Sequence, residues 1–251
     1  MSRDVVINLL AFADGVNKGM RQVEFFSAVA SLDVRRVEVR REWIKDFTIE
    51  LPQMRSKAEK LALEIYYSIP AVLFKNGKLD RNGLLQVLQE GIILGATRVK
   101  FAVGEFDGAA EEELVDLKNI LREHHTLLVT VEGDQSPVNG RMEPILAFME
   151  ACRAKNIPVY ATFDVGNFVF VGQEPLYNAV KLSSHVRYIH VKDVEMTPQG
   201  PQVRSLDGGH INWRAILSLL PEDVPVGIEF PCGEEPEGLL LKTIEKIQQA
   251  N

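Results

Sequence analysis

The sequence predicts a single (β/α)₈ TIM-barrel domain spanning residues 1–251. Two observations carry that expectation. Strand-like and helix-like runs alternate from end to end, and eight such pairs fill 251 residues, the size of one barrel domain. In the second half, four successive strand-like runs each end on a side chain able to hold a metal. The carboxyl ends of parallel strands are where α/β proteins place their chemistry. No interior linker, low-complexity tract or domain-sized composition shift interrupts the alternation.

The elements follow in order. Residues 5–12 read as the first strand and 18–31 as a helix. Residues 36–40 alternate Val37, Glu38, Val39 and Arg40, a strand pattern, and 51–61 form the next helix. A third strand covers 63–68 and is ended by Pro70. Residues 80–94 form a helix with Asp80 as N-cap and Gly95 as its stop. A fourth strand covers 98–102. The helix after it, 109–123, is acidic in its first turn, as the helix dipole favours. Strands at 127–131, 159–163, 186–191 and 224–228 then alternate with helices at 141–155, 174–183, 213–219 and 237–250. The connection 193–210 is long for a βα loop, which places it on the active-site rim. Asn212 fits the N-cap of the helix after it.

Bulk properties narrow the function. A formal net charge of -7 argues against nucleic acid as the main partner. Two cysteines give no disulfide framework and fit a reducing cytoplasm. Residues 1–20 carry charges at Arg3, Asp4, Asp14 and Lys18, unlike a signal peptide, and no run of about 18 apolar residues offers a membrane span. Assembly into a homo-oligomer is compatible with the sequence.

The strand ends carry the chemistry. Run 127–131 leads into Glu132, and run 159–163 into Asp164. Run 186–189 leads into His190, and run 224–228 into Glu229. The separations of 32, 26 and 39 residues each approximate one barrel repeat, so the four side chains come from neighbouring strands and converge above the barrel mouth. Three carboxylates and one imidazole make a hard site suited to Mn²⁺, Mg²⁺ or Co²⁺, with Zn²⁺ also accommodated. Singly, each has an ordinary structural reading: Glu132 or Asp164 as a loop or turn ligand, His190 as a hydrogen-bonded core histidine. Glu229, between Ile228 and Phe230, is the hardest to explain without a partner. Together, four placements in register favour the metal reading.

The runs VEGDQ (131–135), TFDVGN (162–167), YIHVKD (188–193) and GIEFP (227–231) resemble the xylose-isomerase-like sugar isomerase/epimerase superfamily. The runs at 35–43 and 130–148 extend the likeness to epimerases assigned to bacterial 2-ketogluconate utilisation. The resemblance covers nearly the whole chain. It implies a divalent metal on Glu132, Asp164, His190 and Glu229, with Glu132 and Glu229 also transferring protons. The implied reaction is epimerisation or isomerisation of a keto sugar or sugar acid, through an enediolate that the metal stabilises.

Strand alternation adds substrate-binding candidates. Lys192 shares a barrel face with His190, Lys100 lies near the rim of the fourth strand, and Glu38 and Arg40 alternate on the second. Their alternative is an internal ion-pair network. Arg204, in the long seventh loop, is the nearest match to a substrate-contacting arginine of the superfamily. Asn167 stands where relatives often carry His. Asp134 and Gln135 are rim candidates, and several cations at the mouth suit an anionic small molecule. Competing readings are a lyase of the inosose dehydratase kind and a non-catalytic sugar-acid-binding barrel. A nuclease with three zinc ions needs more strand-end histidines than this chain's five histidines supply.

Overall fold

The computed structural model describes residues 3–108 and 110–250. Position 109, the expected start of the fourth long helix, lies outside the described residues; the helix is described from Glu111 to Glu123. Eight parallel strands close on themselves: β1 (Val5–Asn8), β2 (Arg36–Arg40), β3 (Glu64–Lys75), β4 (Ala96–Gly104), β5 (Leu128–Glu132), β6 (Val159–Asp164), β7 (Val186–Val191) and β8 (Val226–Ile228). Neighbours in sequence pair in space, β8 pairs with β1, and β2 with β3. The chain therefore forms the expected (β/α)₈ barrel.

Side-chain alternation sorts each strand. Val37 and Val39, Val99 and Phe101, Val129 and Val131, and Ile189 and Val191 belong to the main apolar core, packed with the surrounding helices. The alternate positions carry Glu38, Arg40, Arg98, Lys100, Thr130, Glu132, Thr162, Asp164, Tyr188 and His190. Apart from Arg40, all of these are buried or nearly so. The barrel interior is thus polar toward its carboxyl end. At its amino end Val6, Tyr66 and Tyr188 form a separate apolar cluster, with the Arg98 guanidinium over both tyrosine rings. Gly227 makes this filling feasible: a Cβ there would stand 2.3 Å from the Tyr188 hydroxyl and 2.9 Å from His190 Cδ2.

Several boundaries differ from expectation for local reasons. The first strand ends at Asn8 because the Asn8 side chain accepts the Leu10 N–H at 2.9 Å and opens a 3₁₀ turn. The helix expected over 18–31 is broken into Ala13–Asn17, a 3₁₀ turn Gln22–Phe25 and Phe26–Ser31. Strand β3 runs past Pro70 to Lys75; pairing with β4 is irregular between Ser68 and Val72, which is where a residue without an N–H is tolerated. Asp80 caps its helix by accepting from the Gly83 N–H, and Gly95 ends it at φ 73°. Residues 193–204 fold into an antiparallel two-stranded ribbon on the rim. No helix among the described residues is long and apolar enough to cross a membrane.

Candidate active site

Strands β5, β6 and β7 and the residue following β8 bring four donors together: ligand atoms of Glu132, Asp164, His190 and Glu229 all lie within 4.8 Å of one another, and all four residues are buried. His190 sits at the centre. Its Nδ1 is 2.6 Å from Glu132 Oε1, 3.4 Å from Glu229 Oε2 and 3.9 Å from Asp164 Oδ2. Its Nε2 is 2.7 Å from Glu38 Oε2, reached across the barrel from β2. Glu38 Oε2 also accepts from the Tyr188 hydroxyl at 2.7 Å.

Two lysines complete the cluster. The Lys100 ammonium, from β4, pairs with Glu132 Oε2 and lies 3.7 Å from Glu229 Oε1. The Lys192 ammonium contacts Asp164 Oδ2 at 2.9 Å, Glu229 Oε2 at 2.8 Å and Asn167 Oδ1 at 3.1 Å. The Arg40 guanidinium reaches Glu229 Oε1 at 3.3 Å while also pairing with Glu42. Asn8, which the sequence reading missed, donates to Glu229 at 3.3 Å. Its buried amide had no signal beyond lying at the end of β1.

This crowding tunes each charge. Burial alone would raise the Glu38 carboxyl, but the His190 ring and the Lys100 ammonium together outweigh burial and hold it down to about 2. Burial would lower the His190 pKa, but Glu229, Glu38 and Glu132 raise it well above the usual histidine value. Burial opposes ionisation of Glu229, yet His190, Lys192 and Lys100 depress its carboxyl strongly. For Asp164 burial prevails over Lys192 and pushes the carboxyl up to about 6. Both lysines stay charged: burial disfavours that, and their carboxylate neighbours outweigh it.

A cavity of about 410 Å³ opens above the cluster, lined among others by Arg40, Lys100, Glu132, Asn167, Lys192 and Glu229. Asp164, His190 and Glu38 lie outside this lining. Of the rim candidates, Asp134 and Gln135 line the cavity. Asp134 chiefly ties its own loop by accepting from Ser136 and Asn139, and Gln135 donates to Asn167 at 3.2 Å. Arg204 is on the ribbon, half-exposed, and paired with Glu195 at 2.9 Å; it is not part of the cavity lining.

The donor set fits a divalent cation in type, in mutual spacing and in burial. Asp164 Oδ2 also accepts no hydrogen bond of good geometry, its contact with Lys192 being an ion pair. Chemically, the arrangement offers hard oxygen donors below and two carboxylates at the floor of a cation-lined cavity.

No family model matches the chain, and no curated protein does. Solved structures match along its whole length. A xylose isomerase domain protein from Planctomyces limnophilus is 14% identical, with 100% of this chain and 98% of that one covered at a TM-score of 0.69. D-allulose 3-epimerase from Methylomonas sp. is 12% identical, with 100% and 99% covered at 0.69. The IolI protein, solved with a zinc atom bound, is 16% identical, with 98% and 96% covered at 0.67. The chain therefore has the fold of the xylose isomerase-like TIM barrels.

Proposed function

We propose that the chain is a divalent-metal-dependent enzyme that moves a proton next to the carbonyl of a keto sugar or sugar acid, epimerising or isomerising it. The observation that carries this reading is a division of the four donors. Glu132 and Glu229 line the cavity, whereas Asp164 and His190 do not. Two carboxylates at the cavity floor can remove a proton from one face of a bound substrate and return one to the other. The likeness to an epimerase and to a xylose isomerase domain protein supports the same class.

Glu132, Asp164, His190 and Glu229 would hold the cation, Mn²⁺, Mg²⁺ or Co²⁺ by the three-carboxylate donor set, with Zn²⁺ also suited. Bound there, it would supply Lewis acidity that polarises the substrate's carbonyl and neighbouring hydroxyl. The protein's own residues do the rest. Lys100 pairs with Glu132, and Lys192 and Lys100 help hold Glu229 ionised, hence ready as a base. Glu38 orients His190 through Nε2. Lys100, Lys192 and Arg40 give the cavity the positive lining that a carboxylate-bearing substrate, such as a 2-ketogluconate-related acid, requires.

Proton exchange tests this reading. Metal-loaded protein in D₂O is incubated with ketoses, 2-keto sugar acids and inososes and followed by NMR. Deuterium uptake with a new epimer or isomer is the expected outcome. Loss of water without epimerisation would make the chain a lyase, and inertness across the panel would make it a binding protein.

A further inference from the structure

Lys192 carries an inference that rests on reading the cluster as a metal site. We propose that its ammonium is a built-in occupant of that site. A divalent cation competes with it for the same oxygens, and metal binding drives the ammonium into the cavity, where it becomes a binding group for an anionic substrate.

The geometry states the competition directly. Lys192 Nζ lies 2.9 Å from Asp164 Oδ2 and 2.8 Å from Glu229 Oε2, and both residues belong to the four-donor set. A metal held by those oxygens would sit about 2.0–2.6 Å from each. An ammonium at its present position would then face a dication a few ångströms away, in a buried setting where like charges repel strongly. One of the two must move.

The lysine's position is built rather than incidental. Its stem crosses Gly166, where a Cβ would stand 2.5 Å from Lys192 Cγ and 3.0 Å from Cδ. Its ammonium donates to Glu229 Oε2 and to Asn167 Oδ1, the latter at 3.1 Å, and pairs ionically with Asp164. Asn167 is in turn fixed by donating to the Gly133 carbonyl at 2.8 Å. Lys192 lines the cavity already, so its displaced ammonium has the cavity's roughly 410 Å³ to enter beside Lys100 and Arg40. Metal and substrate anion then strengthen one another's binding, by equal factors.

The test uses the whole chain stripped with EDTA and titrated calorimetrically with Mn²⁺. Lys192→Met should bind Mn²⁺ about tenfold or more tightly than wild type, since the competitor is gone. Lys192→Gln, which keeps size and hydrogen-bond donors, should do likewise and guards against a fold defect in the first variant. Its melting temperature in EDTA should lie below wild type and recover with Mn²⁺. Gluconate, as a non-reacting sugar-acid probe, should bind wild type more tightly with Mn²⁺ than without, and this coupling should vanish in both variants. Unchanged or weaker Mn²⁺ binding in the variants, with wild type binding Mn²⁺ and Asp164→Asn failing to, overturns the competition and leaves the metal site standing. Equal gluconate coupling in wild type and variants overturns the anion role. Absence of Mn²⁺ binding in wild type and all variants overturns the metal reading and this inference with it.

Discussion

On the proposed reading Glu132 and Glu229 are the proton-transferring pair, and a single experiment divides their roles. Replacing either with Gln keeps shape and one oxygen but removes the base. Turnover should fall by about 10²–10⁴, with metal content measured in the same samples to separate lost chemistry from lost cation. The remaining glutamate should still exchange the substrate proton on its own face while epimer formation fails. Epimerisation at the wild-type rate by a metal-replete variant would rule out the two-base mechanism. His190 and Glu38 make a second residue-scale prediction, for the metal-free protein. Folded His190 holds its proton more tightly than an unfolded histidine, whose pKa is about 6.5. Its contribution to stability is complete below that value and is lost as pH rises through the raised folded pKa. Folded Glu38 behaves oppositely: its contribution is complete above about 4.3 and is lost as pH falls toward about 2. Melting temperatures in EDTA should therefore decline from neutral toward alkaline pH. Glu38→Gln removes one of the carboxylates that keep His190 protonated, so its decline should end at lower pH and be smaller in total. Superimposable profiles would show that the pair does not set this window.

Among the elements, the rim ribbon shows where sequence reading stopped. Asp193 closes the YIHVKD run, and its buried carboxylate is an anchor. Oδ1 accepts from the Val194 N–H at 2.8 Å and the Ile211 N–H at 3.0 Å, and Oδ2 accepts from the Gly209 N–H at 2.9 Å. It fastens both ends of the 193–211 excursion to the barrel. Asp193→Asn turns one acceptor into a donor facing an N–H. It should cost about 1–3 kcal/mol in urea unfolding and open the ribbon to limited proteolysis. A variant as stable and as protease-resistant as wild type would remove the anchoring role. The ribbon itself was legible only as a long loop, because its pairing of Asp193–Thr197 with Gly200–Arg204 depends on a tight turn with Gly200 at φ 103° rather than on hydrophobic alternation. The barrel strands were legible for the converse reason. They bury an apolar outward face, largely Val, Ile, Leu and Phe, and on most of them polar residues recur at every second position on the inner face. That same alternation put Glu38, Arg40, Lys100 and Lys192 in the mouth. Arg204 carried no such signal, and on the ribbon it faces Glu195. The register of contacts across the barrel, such as Glu38 with His190, had no sequence signal at all, since 152 residues separate the partners.

At the scale of the whole molecule, closure of the sheet is what creates the site. Glu38 comes from β2, Lys100 from β4, and the four donors from β5 to the end of β8, so only a closed barrel sets their charges against one another. The buried charges are paired with one another, and removing one member leaves its partner's charge buried and unmatched. Breaking such a pair costs about 3–5 kcal/mol, whereas removing both partners costs far less. Lys100 and Glu132 offer a clean case, at 8% and 10% side-chain exposure. In EDTA, Lys100→Met and Glu132→Gln should each destabilise the protein strongly. The double variant should be more stable than the sum of the two losses predicts, by about 2–3 kcal/mol of coupling. Urea unfolding followed by far-ultraviolet circular dichroism and by tryptophan fluorescence measures this, with coincident transitions required in each variant. The coupling should shrink when Mn²⁺ is present, because the cation then takes over part of the task of balancing Glu132. Strict additivity in EDTA would mean that Lys100 and Glu132 do not compensate one another, and that the interior tolerates an unmatched charge by letting water in.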